Sequence, residues 1–435
     1  MRISITRKRE ASAAVPHLRR NYALGVINGS LYMLAESLID PTLVLTWFLS
    51  RLAAPNVLIG LVVPLRDTGW FLPQLFFARR QVRQPYKLPT YSAAALVRSI
   101  AWATMSIVVL TQHNPTVLII GFFVPYVINS AASGWGGLPF MDVVAKTIPV
   151  RQRGPYFATR MLIGGTLGIA GSLVVRLALG EQLGRAFPAS IGQLIAIAAL
   201  FAAAGLLSFT FVVEPPGEVG DKVSSLTAHL DRAARLFRRD RNFRLFLSTR
   251  VMLMAAQMAA PFFAVYASRE LGAGAEMVSV YLAFNTAASV ISNLMWSRLS
   301  HRHGNRAVLR LAAGLGLSMT LLAWLAGPLD RALAVGAAAP WLFVVVFALS
   351  GAFQSGIAVG GMSMLLEIAP SHERALYVGL TNSVLGVALF STSISGVLVD
   401  WLGYRGLFLL AAGCYAVGLW TATRMQEPRR MLAVQ

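Results

Sequence analysis

Cysteine is almost missing: Cys414 is the single one in 435 residues. That excludes an intrachain disulfide and any cysteine-ligated metal cluster. Histidine offers no buried relay or metal ligand either, because all six (His17, His113, His229, His301, His303 and His372) fall in segments that read as tails or loops. None of the four lysines follows a glycine, so the Gly-Lys-Ser/Thr turn of a phosphate loop is absent and an ATP-driven pump is not expected from this chain alone. No Gly-x-Ser-x-Gly elbow and no His-Glu-x-x-His pair occurs, and no enzyme is expected. No cofactor and no metal site is implied.

Charge is scarce as well. Charged residues make up 13% of the chain, where a soluble domain carries about 25%. Hydrophobic residues make up 56% and the mean hydropathy is +0.63, so the surplus apolar surface needs lipid to face. Stretches of roughly 20 apolar residues, the length that crosses a hydrocarbon core as a helix, occur at 22–48, 56–78, 89–111, 116–139, 156–179 and 189–213. A second set follows at 244–268, 277–297, 307–326, 341–366, 376–399 and 407–424. The sequence predicts an all-α membrane protein of twelve transmembrane helices, six plus six. The first twenty residues are basic and lack the apolar core and cleavage site of a secretory signal, so the first span is expected to remain in the protein.

The net charge of +20 would suggest nucleic acid in a soluble protein. Its placement argues against that. With the N-terminus inside, the external connections hold only Arg51, Arg185, Arg269, Arg331 and Arg405, and most other basic residues fall in internal segments. The positive-inside rule then places both termini in the cytoplasm of a cell whose inner membrane holds the protein. The basic pI is topology, and no nucleic-acid partner is expected.

The domain organisation follows as a tail (1–21), a six-helix bundle (22–213), a cytoplasmic linker (214–243), a second six-helix bundle (244–424) and a C-terminal tail (425–435). The linker opens with Glu214-Pro215-Pro216-Gly217 and ends in an arginine-rich run from Asp231 to Arg244 that suits a helix lying on anionic headgroups or a solvated loop. An internal repeat supports the two bundles. A constant offset of 221 pairs Asn21 with Asn242, Leu24 with Leu245, Met33 with Met254, Pro149 with Pro370, Arg153 with Arg374, Tyr156 with Tyr377 and Gly165 with Gly386. One offset held over so much of the chain indicates two similar bundles about an axis along the membrane normal.

Three segments carry a family likeness: Trp296-Ser-Arg-Leu-Ser-His-Arg-His-Gly-Asn-Arg306, Ile148-Pro-Val-Arg-Gln-Arg-Gly154 and Gly403-Tyr-Arg-Gly-Leu-Phe408. With the six-plus-six repeat, the chain resembles the major facilitator superfamily of secondary transporters over essentially its full length. The first segment is similar to the family's loop between helices 8 and 9, with Trp296 in place of a glycine and His301 in place of an aspartate. The resemblance implies alternating-access transport of a small solute, with Arg153, Arg302, Arg306 and Arg374 near gates. Helix 5 carries Gly164-Gly-Thr-Leu-Gly-Ile-Ala-Gly171, similar to the glycine-rich helix of family antiporters without its proline. This favours export slightly over the alternatives, uptake of a sugar, organic anion or lipid-derived solute, or a transport-dead receptor or assembly factor on the same fold.

Ionisable groups in mid-span are costly and therefore functional candidates. The first half supplies Glu36 and Asp40 on helix 1, Arg66 and Asp67 on helix 2, and Arg98 on helix 3. Glu36 and Asp40 are four apart and expected on one face. Three carboxylates against two guanidiniums leave one negative charge, which a bound proton would cancel. These five are the expected proton-coupling or substrate residues; buried helix pairing and backbone capping at Pro41 are the bland alternatives. The second half offers neutral groups, Gln257, Asn285, Asn293, Gln354 and Asn382, expected to line the solute path or to bond helices together. Arg160 and Glu367 sit near helix ends and are expected at gates or interfaces. The prolines Pro41, Pro64, Pro73, Pro125 and Pro261 mark bends. Tyr22, Tyr32, Trp70, Tyr126, Trp135 and Trp324 suit either a cavity lining or interfacial belts, and for most the belt is expected. The partners expected are a small solute, protons and the bilayer, with the protein acting as a monomer.

Overall fold

The structure is a computed structural model that describes residues 17–81, 84–182, 184–217, 237, 239–333, 338–370 and 374–428. The N-terminal tail to residue 16 and most of the linker, including the candidate surface helix up to 236, lie outside the described residues.

Among the described residues, the helices fall into twelve successive segments, numbered here as spans. Span 1 is Leu18–Leu38 continued by Val44–Arg51, span 2 Asn56–Gln81, span 3 Leu88–Thr111, span 4 Pro115–Thr147, span 5 Val150–Leu179 and span 6 Ala189–Ser208. Span 7 is Arg241–Ala255 and Ala260–Glu270 joined by a 3₁₀ turn, span 8 Ala275–His303, span 9 Asn305–Leu333 and span 10 Ala339–Ile368. Span 11 starts at Arg374–Ser391 and passes through a 3₁₀ turn into the helix Ser395–Arg424, which folds over at Gly403 (φ 70°) to make span 12.

Among the described residues, nine helical runs are long and apolar enough to cross a membrane, the ninth containing spans 11 and 12 together. Spans 1 and 2 fall outside that group. They are the two that hold Glu36, Asp40, Arg66 and Asp67. Large apolar side chains such as Ile100, Leu173, Leu200 and Val387 are exposed on the outer surface, the pattern of a bundle whose solvent there is lipid.

Helices run further than the apolar stretches. Span 4 reaches Thr147 and span 5 begins at Val150, so the segment from 140 to 155, read as a connection, is helix except for the turn at Ile148–Pro149. The likeness segment Trp296–Arg306 is also mostly helix: span 8 continues to His303, with His301 and His303 in its last turn, and Gly304 (φ 84°) makes the turn. An apolar-length criterion finds only the part of a helix that lies in hydrocarbon.

The two halves repeat at atomic detail. Asn21 at the start of span 1 exchanges two hydrogen bonds with the backbone of Val213 at the end of span 6, its Nδ2 donating to the carbonyl and its Oδ1 accepting the amide, both at 3.0 Å. Asn242 at the start of span 7 does the same with Gln426 at the end of span 12, at 3.1 and 2.8 Å. The next residue is a glutamate in both halves. Glu214 accepts the amides of Lys87 and Leu88 at the start of span 3 and pairs with Lys146 at 2.7 Å. Glu427 accepts the amide of Arg306 at the start of span 9 at 2.9 Å. Carboxylates suit these positions because helix N-termini present unsatisfied N–H groups and a positive dipole end. The face carrying these four residues also carries the described residues next to them, His17, Gly217 and Pro428.

At the opposite face the halves meet. Gly60 and Gly396 bring spans 2 and 11 so close that a β-carbon on Gly60 would stand 2.7 Å from the Gly396 nitrogen. Arg269 reaches across, donating to Ser50 Oγ at 2.8 Å and Asn56 Oδ1 at 3.2 Å while also holding Tyr404 within its own half at 3.1 Å. Asn56 in turn donates to Asp400 Oδ1 at 2.6 Å.

Candidate functional site

Span 1 breaks in its middle. Pro41 has no N–H and cannot continue a helix ladder, so the helix stops at Leu38 and restarts at Val44. Asp40 holds the break together: its Oδ1 accepts the amides of Thr42 and Leu43 at 2.9 Å and the Thr42 hydroxyl at 2.6 Å. Span 7 has the matching interruption, a 3₁₀ turn Ala256–Ala259 just before Pro261. Gln257 stands in it, at the repeat position of Glu36. Irregular backbone at this depth is tolerated where it is buried in protein or lines a cavity.

Beside the break of span 1 is a cavity of about 450 Å³ walled by spans 1 to 4, with Met254 of span 7 closing one side. Glu36, Arg66, Asp67 and Arg98 all line it. Arg66 Nη2 lies 2.8 Å from Glu36 Oε2, and the Tyr32 hydroxyl donates to Glu36 Oε1 at 2.7 Å. Arg98 donates through Nη2 to the Tyr32 hydroxyl and through Nε to Asn129 Oδ1 at 3.2 Å, with its guanidinium 4.6 Å from the Tyr32 ring centre. One chain of contacts thus runs from span 2 through span 1 to spans 3 and 4. Asp67 accepts no hydrogen bond from another described residue. The side chains of Glu36 and Arg66 are 32% and 42% exposed, so the pair faces an accessible space although it sits midway along its helices.

The structure separates Asp40 from this group. Its carboxylate serves the backbone and it does not line the cavity. Because the helix ends between them, the one-face spacing expected for Glu36 and Asp40 does not apply. The lining charges are then two of each sign, without the excess negative charge expected from the sequence. Of the aromatics for which a cavity or a belt position was open, Tyr32, Trp70 and Tyr126 line the cavity. Tyr22 packs edge-on against Tyr156, and Trp324 lies under Arg405.

None of the second-half amides lines this cavity. Asn293 bonds helices together, donating to the Ser289 carbonyl at 3.0 Å and accepting the Ser355 hydroxyl of span 10 at 2.7 Å. The Asn285 backbone packs on Gly351 of span 10. Gln354 is exposed and donates to Ser350 at 3.3 Å; Asn382 is exposed.

The expected gate residues divide. Arg153 caps span 4 by donating to the carbonyls of Ile148 at 3.0 Å and Ala145 at 2.6 Å. Arg306 donates to Thr423 O at 2.6 Å, and Glu367 accepts from Asn305 at 2.8 Å, both inside the second half. Arg302 is exposed, and the side chain of Arg374 lies outside the described residues. Arg160 donates to Tyr156 at 3.1 Å and Asn28 at 3.3 Å, in a slot that any side chain on Gly29 would fill. Arg250 of span 7 donates to the Ile357 carbonyl of span 10 at 2.7 Å. The crossing contacts of Arg269, Asn56 and Asp400 were not anticipated. Arg269 falls in an external connection by sequence, and nothing local to it, to Asn56 or to Asp400 signals a partner in the other half.

Comparison with known proteins follows the same architecture. Residues 245–433 match the family model described as Major Facilitator Superfamily, and no curated protein matches the sequence. Among solved structures, the nucleoside transporter NupG superposes with a TM-score of 0.65 at 15% identity, over 94% of this chain and 99% of that one. A D-xylose-proton symporter gives 0.64 at 15% identity, over 95% and 99%. A POT family transporter in complex with 5-aminolevulinic acid gives 0.65 at 11% identity, over 94% and 96%. Similarity at these identities is similarity of fold.

Proposed function

We propose that this protein is a Major Facilitator Superfamily transporter that moves a small solute across a membrane by alternating access and couples that movement to protons, a reading supported by its fold over nearly the whole chain and by the family-model match over residues 245–433. The observation that carries the reading is the Glu36–Arg66 pair, an accessible ion pair in mid-bundle at the break of span 1. An intramembrane carboxylate is retained at a cost and marks an ion or proton pathway. Protonating Glu36 releases Arg66 and alters the contacts between spans 1 and 2, which supplies a link between proton binding and helix position.

The crossing contacts of Arg269 and Asn56 with the opposite half support a state closed at the face away from the termini. With the termini cytoplasmic, as the basic loops favour, that face is external and the cavity is reached from the cytoplasm of a cell bounded by this inner membrane. Export is the direction we favour, because Trp70, Trp102, Tyr126 and Met254 give the cavity walls suited to an amphipathic solute. The glycines of span 5 add nothing to this, since Gly164 and Gly171 pack against span 1 and Gly165 against Val290 of span 8. The charged group at the cavity is complete within one chain, which favours a working monomer.

The deciding experiment is proton flux in proteoliposomes loaded with a pH-sensitive dye, comparing the unaltered protein with Glu36→Gln while cationic, anionic and sugar-like solutes are added. Solute-dependent proton movement lost in the variant supports the proposal. Full pH-gradient-driven transport in Glu36→Gln removes Glu36 from it, and absence of flux with every solute in folded protein leaves a receptor-like role on the same fold.

A further inference from the structure

A second, smaller cavity of about 130 Å³ opens beside the first and shares Tyr32, Trp70, Arg98 and Ser133 with it. Arg98 and Arg160 both line it. Arg160 lies ten residues into span 5, a rise of about 15 Å from the start of that helix. Two guanidinium groups therefore face one space well inside the bundle.

Among the described residues, neither forms an ion pair with a carboxylate. Arg66 has Glu36, but Arg98 is held by the hydroxyl and ring of Tyr32 and by the Asn129 amide oxygen. Arg160 is held by the Tyr156 hydroxyl and Asn28 Oδ1, with its guanidinium 4.8 Å from the Phe140 ring centre and 5.3 Å from that of Tyr156. Among the described residues, no carboxylate lines this cavity. Neutral oxygens and ring faces orient a guanidinium and offset part of its lost hydration. They carry no charge themselves, and the carboxylate nearest Arg98 in this chain of contacts, Glu36, reaches it only through the Tyr32 hydroxyl. Planar forks fixed in this way match an oxyanion, which each can engage through paired N–H groups.

Size sets the rest of the ligand. A space of about 130 Å³ holds an anionic head and little more, whereas the adjoining space of about 450 Å³ has Trp102 and Tyr126 on its walls and a mouth shared through Trp70. We infer that the two cavities form one binding site for an amphipathic organic anion, with a carboxylate head between Arg98 and Arg160 and an aromatic or aliphatic body along Trp70 and Trp102. This deepens the transport reading above and rests on it for the ligand being cargo. It leaves the Glu36–Arg66 pair free for protons, since the head has its own two cations.

The test is calorimetric titration of the purified full chain with 2-naphthoate, with its neutral amide 2-naphthamide, and with chloride or inorganic phosphate alone. The expected result is naphthoate binding at least about tenfold tighter than the amide or either inorganic anion, weakened about tenfold or more in Arg160→Gln and in Arg98→Lys. Arg98→Lys keeps the buried charge and so guards against a misfolded variant, and Arg160→Gln changes a half-buried residue held by neutral partners. Amide binding equal to that of the acid overturns the inference. So does wild-type affinity in Arg160→Gln, and so does phosphate binding as tightly as naphthoate, which would make the site one for small inorganic ions. The two readings fail separately: naphthoate binding without flux in proteoliposomes defeats transport and leaves the anion site, and flux of a neutral or cationic solute without naphthoate binding defeats the anion site and leaves transport.

Discussion

Arg66 Nη2 stands 2.8 Å from Glu36 Oε2, tying the middle of span 2 to the residues just before the break in span 1. Because both side chains are partly exposed to the cavity, the pair is screened and its direct contribution to stability is modest, about 1 kcal/mol. Its importance lies in what each charge does when the other is neutralised. Glu36→Gln should leave the protein folded, lower its melting temperature by a few degrees in detergent, and remove solute-driven proton uptake. The double variant Glu36→Gln with Arg66→Gln should regain the lost stability without regaining coupling. Recovery of coupling in the double variant would assign the proton to another group.

Asp40 has the opposite profile. Three donors converge on its Oδ1, so Asp40→Ala should cost about 1–2 kcal/mol, the usual loss on removing a helix cap. Asp40→Asn keeps the acceptor and should retain both stability and pH-dependent flux. If Asp40→Asn abolishes coupling in a protein of unchanged melting temperature, the carboxylate is a proton carrier as well as a cap.

Arg269 holds the halves together at the face away from the termini through Ser50 and Asn56. Arg269→Ala should shift the population toward a state open at that face. Spin labels on Gln182 and Glu270, both exposed there, in a Cys414→Ala background, should show a longer distance distribution in the variant. An unchanged distribution would show that the glycine contact of spans 2 and 11 suffices to keep the face shut.

Glu214 is buried, with 1% of its side chain exposed, against 18% for Lys146. Removing one partner of such a pair strands the other and the span 3 amides, so Glu214→Ala should destabilise by about 3 kcal/mol. The cost for Lys146→Met should be smaller, because the glutamate keeps its backbone donors. Thermal unfolding of both variants in the same detergent checks the order.

Several features were legible in the sequence because they are local. An uninterrupted apolar run must be a helix in lipid whatever its neighbours are, so the twelve spans followed from composition and length. Asn21 and Asn242 were visible as a matched pair, and the structure gives the reason in their identical bonds to spans 6 and 12. Glu214 and Glu427 do the same job in the two halves, yet they escaped notice. They are 213 residues apart, off the common offset of 221, because the connecting segments of the halves differ in length. The amides of the second half were legible as polar groups at mid-depth, but not in their bonds, since Asn293 finds Ser355 only when spans 8 and 10 pack.

The sequence by itself determined the fold class, the twofold repeat of six helices and the short list of costly charges, because each follows from the demand that a span be apolar or have a reason not to be. Only the tertiary structure decided which of those charges act together. Glu36 and Asp40 are one turn apart in the chain, but the helix ends between them, so one faces a cavity built by spans 2, 3 and 4 and the other turns back on its own backbone. Arg98 and Arg160 are 62 residues apart with nothing local to relate them, and they share a cavity because each reaches a side chain of span 1, Tyr32 for Arg98 and Asn28 for Arg160. Proximity of this kind belongs to the packing of whole helices, which no stretch of sequence encodes alone.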